Sequence, residues 1–234
     1  NGQHIELICQ DPVAGCIIDL ENDGRAFIFS RSDNEDYTID SRDIIEGFTI
    51  INGNAQTVEP AGKGGAVYLG GGEKPGGRAG LQRGEARRIA PILKHNTFDG
   101  NQAAQGGAIF MESAEAEVYE NTFRRNRALS GGAIGIDNAQ SPCAVGPENS
   151  QGGDLRPVIR ANQFEDNCAG VEECVRRQSA NEVLGMGGAI VATGLCQGKF
   201  QQNVFSGNRA DEGGGAIGLG PEPTHAALSN NLFV

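Results

Sequence analysis

Apolar positions along this chain come in short runs, not in stripes. Ile5-Glu-Leu7-Ile8, Cys16-Ile-Ile18, Ala26-Phe-Ile-Phe29, Ile44-Ile45, Phe48-Thr-Ile-Ile51 and Glu117-Val-Tyr119 are β-branched or aromatic segments bounded by Gly, Asn and Asp. That is the pattern of short strands. No long apolar stripe with a period of 3.6 accompanies them, so helices are not expected to build the core.

A degenerate unit, Asn-x-Phe-x-x-Asn-x-Ala followed by Gly-Gly-Ala-Ile, organises the later part of the chain. It reads Asn96-Thr-Phe98 with Asn101 and Ala103, then Gly106-Gly107-Ala108-Ile109; and Asn121-Thr-Phe123 with Asn126 and Ala128, then Gly131-Gly132-Ala133-Ile134. It returns at Asn162, Phe164, Asn167, Ala169 and Gly187 to Ile190, and at Asn203, Phe205, Asn208, Ala210 and Gly214 to Ile217. Asn231-Leu-Phe233 is a last half copy, and Ile50 with Ala55 marks an earlier variant one. Repeats at a fixed period mean a solenoid, in which each unit buries its apolar face against its neighbours.

The spacing from Phe98 to Phe123 is 25 residues, too short for two helices and their turns. The expected fold is therefore all-β: a right-handed parallel β-helix with loop insertions, one domain over residues 1–234, its coils stacked about 4.8 Å apart. The length suffices for about five to eight coils. In register, Phe98, Phe123, Phe164, Phe205 and Phe233 form an internal column, each burying on the order of 2–3 kcal/mol of apolar surface. Asn101, Asn126, Asn167 and Asn208 are expected at the coil's turns, where Asn tolerates the left-handed backbone region and its amide can bond the copies above and below. The paired glycines are expected to supply a backbone shape that a side chain forbids.

Charge and cysteine content narrow the function classes. Thirty acidic against nineteen basic residues give a net charge of −11, which disfavours nucleic acid and anionic membranes as partners. No run approaches the roughly 18–20 apolar residues that cross a bilayer, and residues 1–30 lack the charged-then-apolar order of a signal peptide, so no membrane insertion of this segment is expected. The cysteines are Cys9, Cys16, Cys143, Cys168, Cys174 and Cys196, without any Cys-x-x-Cys spacing. Disulfides fit better than a metal cluster. Cys9–Cys16, Cys168–Cys174 and Cys143–Cys196 is one pairing; Cys143–Cys168 with Cys174–Cys196 is another. An oxidising, extracellular setting follows.

Resemblance to known proteins rests on the array. Gly131-Gly-Ala-Ile134 alternating with Phe123-Arg-Arg-Asn126 resembles the repeat pair of the chlamydial polymorphic outer membrane proteins. With Gly47-Phe-Thr-Ile-Ile-Asn-Gly-Asn-Ala55 it is also similar to the secreted bacterial right-handed β-helix proteins of the pectate-lyase-like superfamily. The resemblance covers roughly residues 40 to 234 and implies a secreted or surface-displayed passenger or stalk with an adhesive role.

Candidate chemistry sits off the repeat. Insertions at about residues 56–63, 70–91, 137–157 and 170–186 are expected to project outward. The second gathers Lys74, Arg78, Arg83, Arg87 and Arg88, a surface for an acidic glycan or for a neighbouring copy, or else a solvated loop with a short helix over 81–88. Asp33, Glu35, Asp36, Asp40 and Asp43 offer hard oxygen ligands for calcium, though in no EF-hand pattern. A hydrolase needs paired carboxylates and a lyase a base beside a charge-neutralising cation; Lys94 or His95 with Arg124 and Arg125 one coil away is the best candidate set. The expected function is a noncatalytic extracellular module, structural or adhesive, without a cofactor. The alternatives are a carbohydrate-active β-helix on an acidic polysaccharide, and a subunit of a fibre that associates end to end, since the array stops mid-unit at Phe233.

Overall fold

Runs of three or four residues that alternate between apolar and polar suit a strand with one face buried, and each such run here does form one. A computed structural model of the chain describes residues 4–11, 15–30, 39–70, 89–137, 156–170, 185–194, 198–220 and 225–234. Among them there is no helix, and every strand pairing is parallel.

Four sheets run along the stack. The first holds Glu6–Ile8, Ile44–Glu46, Ile92–Lys94, Glu117–Tyr119, Val158–Arg160, Gly198–Gln201 and Ala226–Ser229. The second holds Cys16–Asp19, Phe48–Ile51, Thr97–Asp99, Thr122–Arg124, Gln163–Glu165, Val204–Ser206 and Leu232–Phe233. A narrow third sheet pairs Arg127–Ala128, Cys168–Ala169 and Arg209–Ala210, and isolated bridges continue it down through Gln102 and Asn54. The fourth stacks Phe27–Ser30, Val67–Gly70, Ile109–Glu112, Ile134–Asp137, Ile190–Thr193 and Ile217–Leu219. Each strand pairs with its counterpart one coil on, so the described residues form a parallel β-helix of six coils and the start of a seventh.

Strand alternation turns one set of side chains inward. Phe98, Phe123, Phe164 and Phe205 lie in register and stack with ring centroids 4.9 Å apart, their planes within 9° of parallel; Phe233 follows at 5.1 Å. Ile50 occupies the same column one coil below Phe98. Each ring pair adds about 0.5–1.5 kcal/mol beyond the apolar area it buries.

Two ladders of asparagines, buried except for the half-buried Asn208 and Asn231 at the end of the stack, flank that column. One is Asn96, Asn121, Asn162, Asn203 and Asn231; the other is Asn101, Asn126, Asn167 and Asn208. Asn126 shows the unit. Its Oδ1 accepts from the backbone N–H of Asn101 at 3.0 Å and from Asn101 Nδ2 at 3.1 Å, and its Nδ2 donates to Phe98 O and to Asn167 Oδ1, both at 3.0 Å. All four hydrogen-bonding positions of the amide are used, which is what burial of Asn demands.

One expectation is corrected here: the ladder asparagines are not the residues in the left-handed region. The residue just before each takes that conformation, namely His95, Glu120, Ala161, Gln202 and Asn230 on one side and Gly100, Arg125, Asp166 and Gly207 on the other, with φ between 53° and 66°. The bend must precede the ladder position so that the next side chain points inward. The cost of the non-glycine corners, about 1–2 kcal/mol each, is carried by the ladder bonds that follow.

The paired glycines have two separate reasons. Gly106 has φ 60° and a Cβ there would meet Ile109 O at 2.0 Å; a Cβ on Gly107 would meet Gly132 O of the next coil at 2.1 Å. The same contact is repeated along the stack, and Gly64-Gly65-Ala66-Val67 proves to be a further copy that pairs with Gly107 and Ala108. Phe123→Ala should cost about 3–5 kcal/mol in urea denaturation. Asn126→Ala, which strands several buried polar groups, should cost roughly 3 kcal/mol or more, and the outward Thr122→Ala less than about 1 kcal/mol.

Candidate functional site

The corner between the first and second sheets carries the outward side chains that the repeat leaves free. Lys94 follows the inward Leu93 and therefore points out, where its Nζ lies 2.9 Å from Glu46 Oε2 on the coil below. His95, at a left-handed corner, lies between two acids: Nδ1 is 3.0 Å from Glu46 Oε1 and Nε2 is 2.6 Å from Glu120 Oε2. One coil further, the Arg160 guanidinium sits 3.9 Å from the centroid of the Tyr119 ring. The hydrogen bond to Glu46 raises the pKa of Lys94, and the Lys94 ammonium in turn holds Glu46 below the usual carboxylate range. A lysine fixed in its protonated form is a poor general base.

Arg124 and Arg125 belong to a different corner. Arg124 Nε donates to Asp99 Oδ2 at 2.9 Å, and Arg125 Nη2 donates to the same oxygen. Both groups share a coil step with Lys94 and His95, but the strand Thr97–Asp99 separates them, about 3.3 Å per residue. The lyase-like set is thus split into two ion-paired clusters and does not converge on one point.

Other expected site residues distribute as follows. Asp40 accepts a hydrogen bond from Arg42 Nη2 at 2.6 Å, and that guanidinium lowers its pKa to about 2. Asp33, Glu35 and Asp36 lie outside the described residues, as do Lys74, Arg78, Arg83, Arg87 and Arg88. Cys9 and Cys16 form a disulfide across the step between the first two strands. Cys168 is disulfide-bonded as well; Cys143, Cys174 and Cys196 lie outside the described residues, so both pairings open for Cys168 stay open.

One polar cluster has no counterpart in the sequence reading. The segment 56–63 does not simply project as an insertion: Arg25 anchors it, donating to the carbonyls of Val58, Glu59, Pro60, Lys63 and Gly64 at 2.7–3.3 Å. Beside it, on the outer face of the fourth sheet, Tyr68 Oη donates to Glu112 Oε2 at 2.5 Å and Lys63 Nζ donates to Glu112 Oε1 at 2.8 Å. Arg25 lies over the Tyr68 ring and Lys63 over the Phe110 ring, at 5.7 and 5.3 Å from the centroids. Burial, with the Glu112 carboxylate as a second cause, pushes the Tyr68 phenol far up, so it serves as a donor and not as a base. Burial alone would raise Glu112, but the bonds from Lys63 and Tyr68 outweigh it and its pKa falls. The signal for this cluster was faint, a single Arg after Gly24 and a Tyr on the outward position of a strand.

The geometry defines a repeat protein of the parallel β-helix class, with an asparagine- and phenylalanine-laddered interior and an ion-paired exterior. Residues 97–112 and 204–219 match the Chlamydia polymorphic membrane protein repeat, each running from a second-sheet strand through the paired glycines into the fourth sheet. No curated protein and no solved structure matches the chain.

The lowered carboxyls give a signed pH dependence. Glu112, Glu46 and Asp40 lie lower in the folded chain than their ordinary values, so their stabilisation is present above the unfolded values near 4 and lost as pH falls through the folded ones. The Tm should fall between about pH 5 and pH 2, and Glu112→Gln should flatten part of that decline.

Proposed function

We propose that this chain is a noncatalytic module of a secreted or surface-displayed protein, a rigid rod that holds an adhesive outer face. The observation that carries the reading is where the repeat spends its residues. Phe, Asn and the glycine pair are all consumed in packing one coil on the next, and the best acid, base and cation candidates outside are tied to one another across coils. Such a rod resists collapse along its length, because successive coils are fixed to one another in three long sheets, with a narrower sheet joining three of them.

The setting is supported by chemistry and by likeness. The Cys9–Cys16 disulfide suits an oxidising compartment, and the matched repeat is one named for membrane proteins of Chlamydia. Partners of such a rod are glycans or a cell surface, bound along the outward columns and the insertions. The matched segments contribute to this face through the outward residues of the second and fourth sheets.

A glycan array probed with the purified chain, displayed multivalently to raise avidity, should show saturable binding to at least one class of glycan. Uniform silence there and on cultured cells would remove the adhesive part of the reading. Incubation with uronic-acid polymers should yield neither unsaturated products nor new reducing ends; either product would replace the noncatalytic reading with a lyase or hydrolase.

A further inference from the structure

Two histidines meet carboxylates in this structure, and they do so differently. His95 places its two ring nitrogens on two different glutamates, as a bridge between coils does. His4 directs one nitrogen at two aspartates: Nδ1 lies 3.7 Å from Asp40 Oδ1 and 3.4 Å from Asp43 Oδ2. A single ring N–H shared between two carboxylates makes only long contacts, and neither separation is the roughly 2.9 Å of a good N–H···O bond. Candidate ligand atoms from the three residues all lie within 4.8 Å of one another. Neighbouring ligands of a tetrahedral zinc ion, bound at about 2.0–2.2 Å, sit about 3.3–3.6 Å apart, close to the two separations from His4.

The fold sets this convergence. His4 lies two residues before the first strand of the first sheet, and Asp40 and Asp43 precede the strand stacked on it, with Ile44 N donating to Ile5 O at 2.8 Å. Asp43 is 4% exposed, and its carboxylate is oriented by the backbone N–H groups of Ile5 at 2.9 Å and Asp40 at 2.8 Å. Such outer hydrogen bonds fix the direction of a ligating carboxylate.

We propose that His4, Asp40 and Asp43 form a three-ligand site for a divalent transition-metal ion of the zinc type, with a fourth position open to solvent. An imidazole nitrogen among the ligands selects against calcium, which takes an all-oxygen shell, so this site differs from one built of the acidic stretch alone. Arg42 is its built-in competitor. Its exposed guanidinium and its backbone N–H hold both oxygens of Asp40, and the incoming ion displaces the guanidinium from Asp40 Oδ1.

Cobalt(II) tests this, because its ligand-field absorption reports both coordination number and ligand type. Metal-free chain titrated with Co(II) should develop a visible band that saturates at one equivalent and is removed by Zn(II). His4→Ala should weaken binding at least ten-fold while circular dichroism and the melting curve stay as in the parent. Arg42→Ala should strengthen binding several-fold, and binding unchanged by this substitution would show that Asp40 is not a ligand and overturn the three-ligand site. Absence of the band, a thiolate charge-transfer band in its place, or equal binding by the parent and His4→Ala would overturn the assignment. Asp43→Asn is the weaker variant for this purpose, since Asp43 also caps two backbone N–H groups.

Discussion

A buried asparagine that repeats once per coil constrains everything else in this molecule. Its amide has two donors and two acceptor positions, and inside the stack the only partners within reach are the backbone and the matching amide one coil away. A coil that shifted by one residue would leave several such groups without partners, at about 1–3 kcal/mol each. The phenylalanine column gains from the same register but tolerates substitution more readily, as Ile50 below Phe98 shows. Polar ladders therefore set which residue stacks on which, and the aromatic column and the apolar positions of the fourth sheet supply the burial that makes the stack cohere.

Strain at the corners is the consequence. To aim each ladder amide inward the chain must bend sharply just before it, and nine corners along the two ladders do so with φ near 55–65°. The side chains there vary: His, Glu, Ala, Gln and Asn on one side, Gly, Arg, Asp and Gly on the other. Being turned outward, they are free to be used. His95 meets Glu46 and Glu120, and Arg125 meets Asp99, so ion pairs run from coil to coil along both corners. Each exposed pair contributes little by itself. Along a column they add a charged outer layer to a core held by apolar and amide stacking.

Much of the interior was legible because one coil equals one repeat. Phe98, Phe123, Phe164 and Phe205 announce their own register, and the paired glycines announce a close approach. The ladder of Asn96, Asn121 and Asn162 was printed in the same repeat, yet a recurring polar residue beside a strand reads as outward or as a turn until its four partners are seen. The left-handed corners left no trace, since no residue type recurs at them. Nor could spacing alone pair Lys63 with Glu112, 49 residues apart, or tie Arg25 to the loop beyond Asn54. Gly64-Gly65-Ala66 completes the variant copy marked by Ile50 and Ala55, and it is hidden because Val67 stands where the later copies have Ile.

Those gaps share a cause that bears on function. Selection for stacking acts on the inward positions, so they repeat and can be recognised. The outward column of the second sheet reads Thr49, Thr97, Thr122, Gln163 and Val204 and obeys no such rule. A solenoid of this kind fixes the spacing of its outer side chains to one coil's rise while leaving their chemistry open. The chemistry that varies lies in those outer columns, so two chains with the same interior repeat need not share a ligand.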